Sequence, residues 1–217
     1  ANMFALAFGL VDDKRKPAVV EFIKSRGMAC SVYGAQFLLE ALYEADEEDA
    51  ALSLMTNDSD RSWPHMIRNI GSTITLEAWD PKYKPNLDWN HAWGAAPANI
   101  IPRFLVGVMP LEPGFARVRI KPRIASLSDV SATVPTIRGP ISVDIRRDEG
   151  HYHLNCTIPA NMIAELHLPT ANPAQVLEAG RPAAASIGVT FLRSDGARSV
   201  YTVRSGSYEF SIKQPQP

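Results

Sequence analysis

At 217 residues and 46% hydrophobic side chains, the chain is long enough to bury one large core or two modest ones, and its unlike halves favour two. Lys and Arg number 22 against 23 Asp and Glu, a formal net charge of -1, which excludes a global electrostatic attraction to nucleic acid or anionic lipid. Its 2 cysteines, Cys30 and Cys156, build no disulfide framework and match no zinc spacing, so the redox compartment stays open.

In chain order, the opening ANMFALAFGLVDD places Phe4, Leu6, Phe8 and Leu10 in an apolar run without a charged leader, the expected look of a cut end. Pro17 then starts a predicted helix whose stripe of Val19, Val20, Phe22 and Ile23 runs to a stop at Gly27. In VYGAQFLLEALYEADEEDAALSLM, Phe37, Leu38, Ala41, Leu42 and Ala45 recur at helical spacing. Asp46, followed by Glu47, Glu48 and Asp49, reads as the N-cap and acidic first turn of the next helix, making an αα-hairpin. A short helix over Trp63 to Ile70 is capped by Ser62 and ended by Gly71, and a longer one is expected from Asn90 toward Met109, interrupted by Pro97 and Pro102. The segment AWGAAPANIIPRFLVGVMP is apolar, but two prolines and Arg103 break it before membrane-spanning length, so no membrane insertion is expected. Successive helical hairpins imply a toroid or solenoid of helices.

From Gly114 the hydrophobic period changes to two. FARVRIKP, SDVSATVPT, GPISVDIRR, HYHLNCTIP, AELHLP and SVYTVRSGSYEFSIK read as short strands separated by Pro, Gly and turns such as DEG and SDG, the pattern of an antiparallel β-sandwich. The turn-rich MPLEPG marks the joint.

Three of the 4 tryptophans lie within TLEAWDPKYKPNLDWNHAWG, with a glutamate, two aspartates and a histidine. Indole faces pack against pyranose C–H surfaces, and glycosidic cleavage needs carboxylates as proton handlers, so the mixture suits a sugar. Glu77 follows the apolar run ITL and precedes Trp79 and Asp80, which sets a carboxylate at the edge of a buried element beside aromatic surface. Taken singly, a loop glutamate is more often solvated and inert, indoles at the spacing of Trp89 and Trp93 are more often core than binding surface, and His91, after a potential cap at Asn90, more often reads as a core or capping histidine. His151 and His153 share a strand face without a third metal ligand nearby, and TNDSDRS lacks the glycine and terminal glutamate of a calcium loop. No phosphate-cradling glycine loop or nucleophile elbow is present; no metal site and no cofactor are expected.

In their order and spacing, FALAFGLV, CSVYGAQFLLEAL, SWPHMI before GSTITLEAWD, DWNHAWGA and PGFARVRIKP resemble the C-terminal part of bacterial inverting α-L-rhamnosidases of the glycoside hydrolase family 78 kind. The resemblance spans nearly the whole chain. It implies a partial (α/α)6 barrel over residues 1–110 followed by an antiparallel β-sandwich over 111–217. It also implies that Glu77 is the general base, that the general acid belongs to an upstream barrel segment, and that His91, Trp79, Trp63 and Trp93 hold the sugar of a rhamnose-containing glycan or glycoside. The block reads LEAWD where many relatives have WERWD, and the loop from Glu77 to His91 is shorter. Incomplete barrel helices carrying Phe4, Leu6 and Phe8 imply an exposed apolar surface and self-association. Two readings compete: a non-catalytic carbohydrate-binding or scaffolding protein, and another toroid enzyme such as a lyase, for which no arginine cluster surrounds Glu77.

Overall fold

In a computed structural model, residues 1–148 and 150–213 are described; Glu149, inside the expected DEG turn, lies outside them. The chain forms two compact units, one from Ala1 to Ile101 and the other from Pro102 onward. The first contains α1 (Asn2–Ala7), α2 (Lys16–Arg26), α3 (Val32–Glu44), α4 (Glu48–Thr56), α5 (Trp63–Arg68) and α6 (Ala96–Ile100).

Local chemistry explains most of the helix ends. Pro17 sits in the first turn of α2, where a missing N–H costs nothing, and Gly27 ends it at φ 55°. Ser31 Oγ accepts the Gly34 N–H at 3.3 Å to start α3, and Ser62 Oγ accepts the His65 N–H at 3.1 Å to start α5. On α3, Val32, Ala35, Leu38, Leu39 and Leu42 are buried, while Tyr33, Gln36, Phe37 and Glu40 form a partly exposed stripe at helical spacing. Each buried leucine contributes on the order of 1.5–3 kcal/mol relative to exposure, so the apolar side of α3 holds this helix in place and orients Tyr33.

Three expectations are corrected. Asp46 is not an N-cap: it adopts φ 58° after α3, where the N–H groups of Ala45, Asp46 and Glu47 return to the carbonyls of Ala41, Tyr43 and Leu42, and α4 starts only at Glu48. The long helix from Asn90 toward Met109 is replaced by a 3-10 turn (Ala92–Gly94), α6, and a π-turn (Ile101–Leu105). Pro97 sits in the first turn of α6, where its missing N–H costs little, so α6 starts only at Ala96; Pro102, which has no N–H to give the α-helical ladder, lies inside the π-turn that follows directly, with Ile101 still αR. Leu6 is buried, whereas its neighbours Phe4 and Phe8 are exposed and pack against Phe37, with ring centroids 5.1 and 5.5 Å away.

The second unit is a mixed sheet of β1 (Val108–Pro110), β2 (Arg117–Ile120), β3 (Asp129–Val134), β4 (Ile141–Asp148), β5 (His151–Leu168), β6 (Val176–Glu178), β7 (Arg181–Pro182), β8 (Val189–Asp195) and β9 (Arg198–Lys213). Among the described residues, all pairings are antiparallel except β2 with β5. HYHLNCTIP and AELHLP, read as separate strands, are one strand bent at a bulge between Ile158 and Ile163. Before the bulge β5 pairs with β4, and after it with β2, so the irregularity lets one strand change neighbours. Alternating Tyr152, Leu154, Cys156 and Ile158 turn inward against Tyr208, Phe210 and Ile212 of β9.

Candidate active site

The segment from Thr75 to Gly94 contains almost no regular structure, yet its backbone closes on itself. The Glu77 N–H donates to the Asp88 carbonyl at 3.0 Å, the His91 N–H donates to the Thr75 carbonyl at 2.9 Å, and Thr75 Oγ1 donates to the His91 carbonyl at 2.6 Å. These bonds draw Glu77 and His91 to one end of the loop, while fully buried Leu76 anchors it. Gly94 is required by closeness: a Cβ there would stand 2.9 Å from the Leu76 carbonyl oxygen and from Thr75 Cβ.

Behind the loop, Trp63 and Trp79 are only 7% and 3% exposed. Their indole N–H groups donate to the carbonyls of Gly94 and Cys30 at 2.6 and 2.7 Å, and their rings meet edge to face at 5.0 Å. His65 braces the same region, with Nε2 2.7 Å from Asp80 Oδ2 and Nδ1 2.9 Å from Asn69 Nδ2. The Lys82 N–H, and then His65, hold the Asp80 carboxyl below the ordinary carboxylate range.

Tyr33, at the start of α3, joins the front of the site. Its hydroxyl is 2.9 Å from His91 Nε2 and 3.5 Å from Glu77 Oε1. Its ring lies edge-on to His91 at 5.3 Å and to Trp93 at 5.4 Å, and Trp93 is 73% exposed. Glu77, with a side chain 17% exposed, receives the Lys84 ammonium on Oε1 and the Asp88 N–H on Oε2 at 3.1 Å. Lys84 first, then the Asp88 N–H, hold the Glu77 carboxyl below its usual pKa against an opposing desolvation; the same pairing raises Lys84. An open cleft of about 350 Å³ is lined by Glu77, Trp79, Tyr83, Arg61, Ser31 and Cys30. Burial pushes the Cys30 thiol up to about 11.

Of the residues singled out in the sequence, Glu77, His91 and Trp93 therefore meet around Tyr33, while Trp63 and Trp79 pack against each other behind them. Glu77 is engaged by Lys84 and still faces the cleft. Tyr33 and Lys84 were not singled out. A usable signal for Tyr33 was its place at the head of the Tyr33, Gln36, Glu40 polar stripe; Lys84 in KYKP offered none beyond its charge. In the other unit, His153 and His151 turn toward Asp148 at 3.5 and 3.9 Å, and Cys156 is buried with its thiol raised to about 12. Among the described residues, no group of three or more His, Cys, Asp or Glu side chains is placed to hold a metal ion.

A family model for the bacterial alpha-L-rhamnosidase 6 hairpin glycosidase domain matches residues 1–105, and one for the bacterial alpha-L-rhamnosidase C-terminal domain matches residues 107–181. The chain belongs to the bacterial α-L-rhamnosidase family. Within that family it is 25% identical over 98% of its length to an alpha-L-rhamnosidase of Streptomyces avermitilis, and 24% identical over 97% to one of Formosa agariphila. It spans only 21% and 24% of the lengths of these relatives. The crystal structure of the Streptomyces avermitilis enzyme complexed with L-rhamnose superposes over 98% of this chain with a TM-score of 0.82 at 27% identity. The native Aspergillus terreus enzyme shares the fold, with a TM-score of 0.75 over 97% of the chain at 22% identity. The rhamnosidase resemblance therefore rests on both halves, helices and sheet alike. No helix among the described residues is long and apolar enough to cross a membrane.

Proposed function

We propose that this chain supplies the general-base side of an inverting α-L-rhamnosidase site, with residues 1–110 as part of the catalytic barrel and 111–217 as its accessory sheet domain. Glu77 is the base that takes a proton from the attacking water. His91 and Trp93 hold the rhamnosyl ring, Trp79 flanks the cleft, and Trp63 supports it from behind. The general acid comes from a part of the enzyme outside this chain. The reading is supported by the convergence of Glu77 and His91 on Tyr33 and by the exposure of Glu77 to a cleft that Trp79 also lines, inside the segment matched by the glycosidase-domain model.

The chemistry is consistent. In an inverting reaction the water oxygen bonds to the anomeric carbon as the glycosidic C–O bond breaks; one carboxylate removes a proton from the water, and a carboxylic acid roughly 6.5–9.5 Å away protonates the departing oxygen. A base must be ionised at working pH, and the Lys84 ammonium and the Asp88 N–H favour the ionised form of Glu77. One carboxylate does not perform both roles, so the chain assayed alone hydrolyses no rhamnoside.

The test is Glu77→Gln in an enzyme that carries this chain together with the acid. Turnover of an aryl α-L-rhamnoside falls by several orders of magnitude, because the attacking water loses its proton acceptor. Proton NMR of the first product identifies the β-anomer. Near-normal turnover by the variant, or an α-anomeric first product, would refute the assignment; turnover by this chain alone would refute the division of roles.

A further inference from the structure

We infer that Tyr33 is a positioning residue that fixes which nitrogen of His91 carries the proton and which faces the sugar. The inference rests on the site proposed above. Its readout is the protonation pattern of one ring rather than turnover, so the two fail separately.

The phenol has one proton and two neighbours within reach that can accept it, His91 Nε2 at 2.9 Å and Glu77 Oε1 at 3.5 Å. The shorter contact is an ordinary hydrogen-bond length and the longer is at the limit of one. Glu77 Oε1 is already engaged by the Lys84 ammonium, and Oε2 by the Asp88 N–H. Glu77 has donors enough, whereas His91 Nε2 has Tyr33. The phenol therefore donates to Nε2, and the neutral ring carries its proton on Nδ1. On the other side of the ring the Asp88 carboxylate is 3.8 Å from Nδ1, where it favours a proton; the Glu77 carboxylate lies beyond the Tyr33 hydroxyl on the Nε2 side, with the Lys84 ammonium on it. Burial and the Glu77 charge both disfavour a phenolate, which keeps Tyr33 a donor.

The ring cannot easily turn over to present the other nitrogen. Tyr33 and Trp93 both lie edge-on to it, with centroids 5.3 and 6.3 Å from that of His91, and its backbone is bonded to Thr75 from both the N–H and the carbonyl. Tyr33 in turn is held by a helix that starts at the Ser31 cap and buries Val32 and Ala35 beside it. With Nε2 occupied, Nδ1–H is the donor left for a sugar hydroxyl. A site built this way selects a hydroxyl oxygen at that position and discriminates against analogues lacking it.

The experiment is long-range ¹H–¹⁵N NMR on this chain, selectively labelled at histidine, at a pH well above the ordinary imidazole pKa of about 6.5. His91 in the unaltered chain shows a protonated, pyrrole-type Nδ1 and an acceptor, pyridine-type Nε2. Tyr33→Phe keeps the ring contacts and removes only the hydroxyl; its Nε2 loses the pyridine-type signal as the proton shifts onto it. An unaltered chain protonated at Nε2 overturns the inference without any variant, and so does a Tyr33→Phe spectrum unchanged from the parent. If Tyr33→Phe fails to fold, the first result still decides.

Discussion

The ammonium of Lys84 rests on the same Glu77 oxygen that Tyr33 approaches, while the Asp88 N–H holds the other oxygen at 3.1 Å. The proposed base is thus an ion-paired carboxylate at the rim of a cleft rather than an isolated one. Such a carboxylate is a somewhat weaker proton acceptor but remains charged in more acidic solution, and the site trades intrinsic basicity for a dependable charge state.

Lys84→Met should raise the Glu77 pKa. The folded-state value in the parent lies below the ordinary carboxylate value of about 4.3, held there first by Lys84. Stability linked to this group is therefore complete above that ordinary value and lost as pH falls through the folded one. Carboxyl ¹³C titration of labelled glutamate should show the Glu77 midpoint moving upward in the variant, and in an active enzyme the acid limb of the pH–rate profile should move the same way. An unmoved midpoint would mean that Lys84 does not set it.

Gly94→Ala should disrupt the loop that carries Glu77. The new methyl would meet a backbone oxygen and a β-branched side chain at 2.9 Å, neither of which is the free end of a flexible group. Overpacking of this kind costs typically 1–3 kcal/mol, so urea denaturation should show a lower midpoint with an unchanged slope. A midpoint equal to the parent's would show that the 75–77 backbone yields freely.

Trp63→Phe preserves an aromatic ring against Trp79 but leaves the Gly94 carbonyl without its 2.6 Å donor. A buried acceptor left unpaired costs about 1–3 kcal/mol. The expected outcome is a loss of that size in the same denaturation assay, together with a shift of the Gly94 and Ala95 amide resonances. Full stability would place water in the gap.

Cys30 should be a sluggish nucleophile although it lines the cleft. With its thiol at about 11, the reactive thiolate is scarce at neutral pH, where an ordinary thiol near 8.5 already supplies several per cent. Alkylation by iodoacetamide at pH 7.5 should run at least tenfold slower than for a free cysteine, and rise steeply toward pH 10. A rate matching the free amino acid would show that the group is far more open than its surroundings indicate.

Much was legible from residue order. Pro17, Ser62 and Gly27 bound helices because capping and φ preferences act over three or four residues, and the change of period after Gly114 announced strands because alternation is a property of neighbouring side chains. The same local grammar failed at Asp46, whose backbone serves the end of one helix instead of the start of the next, and beyond Asn90, where apolar spacing alone proposes one long helix but α6 starts only at Ala96, with Pro97 in its first turn, and passes into a π-turn at Ile101.

The sequence by itself determined the helix-then-sheet order, the near-neutral charge and the cluster of carboxylate, imidazole and indoles between Thr75 and Gly94, because these depend on composition and near neighbours. Only the tertiary structure decided that Tyr33, far upstream on α3, stands between Glu77 and His91, that Lys84 neutralises Glu77, and that Trp63 and Trp79 pack behind the site while Trp93 stays open to solvent. Those relationships arise from backbone bonds closing one irregular loop and from a helix docked against it. They are long-range contacts, and no periodicity along the chain encodes which distant side chain will fill a given hydrogen-bonding position.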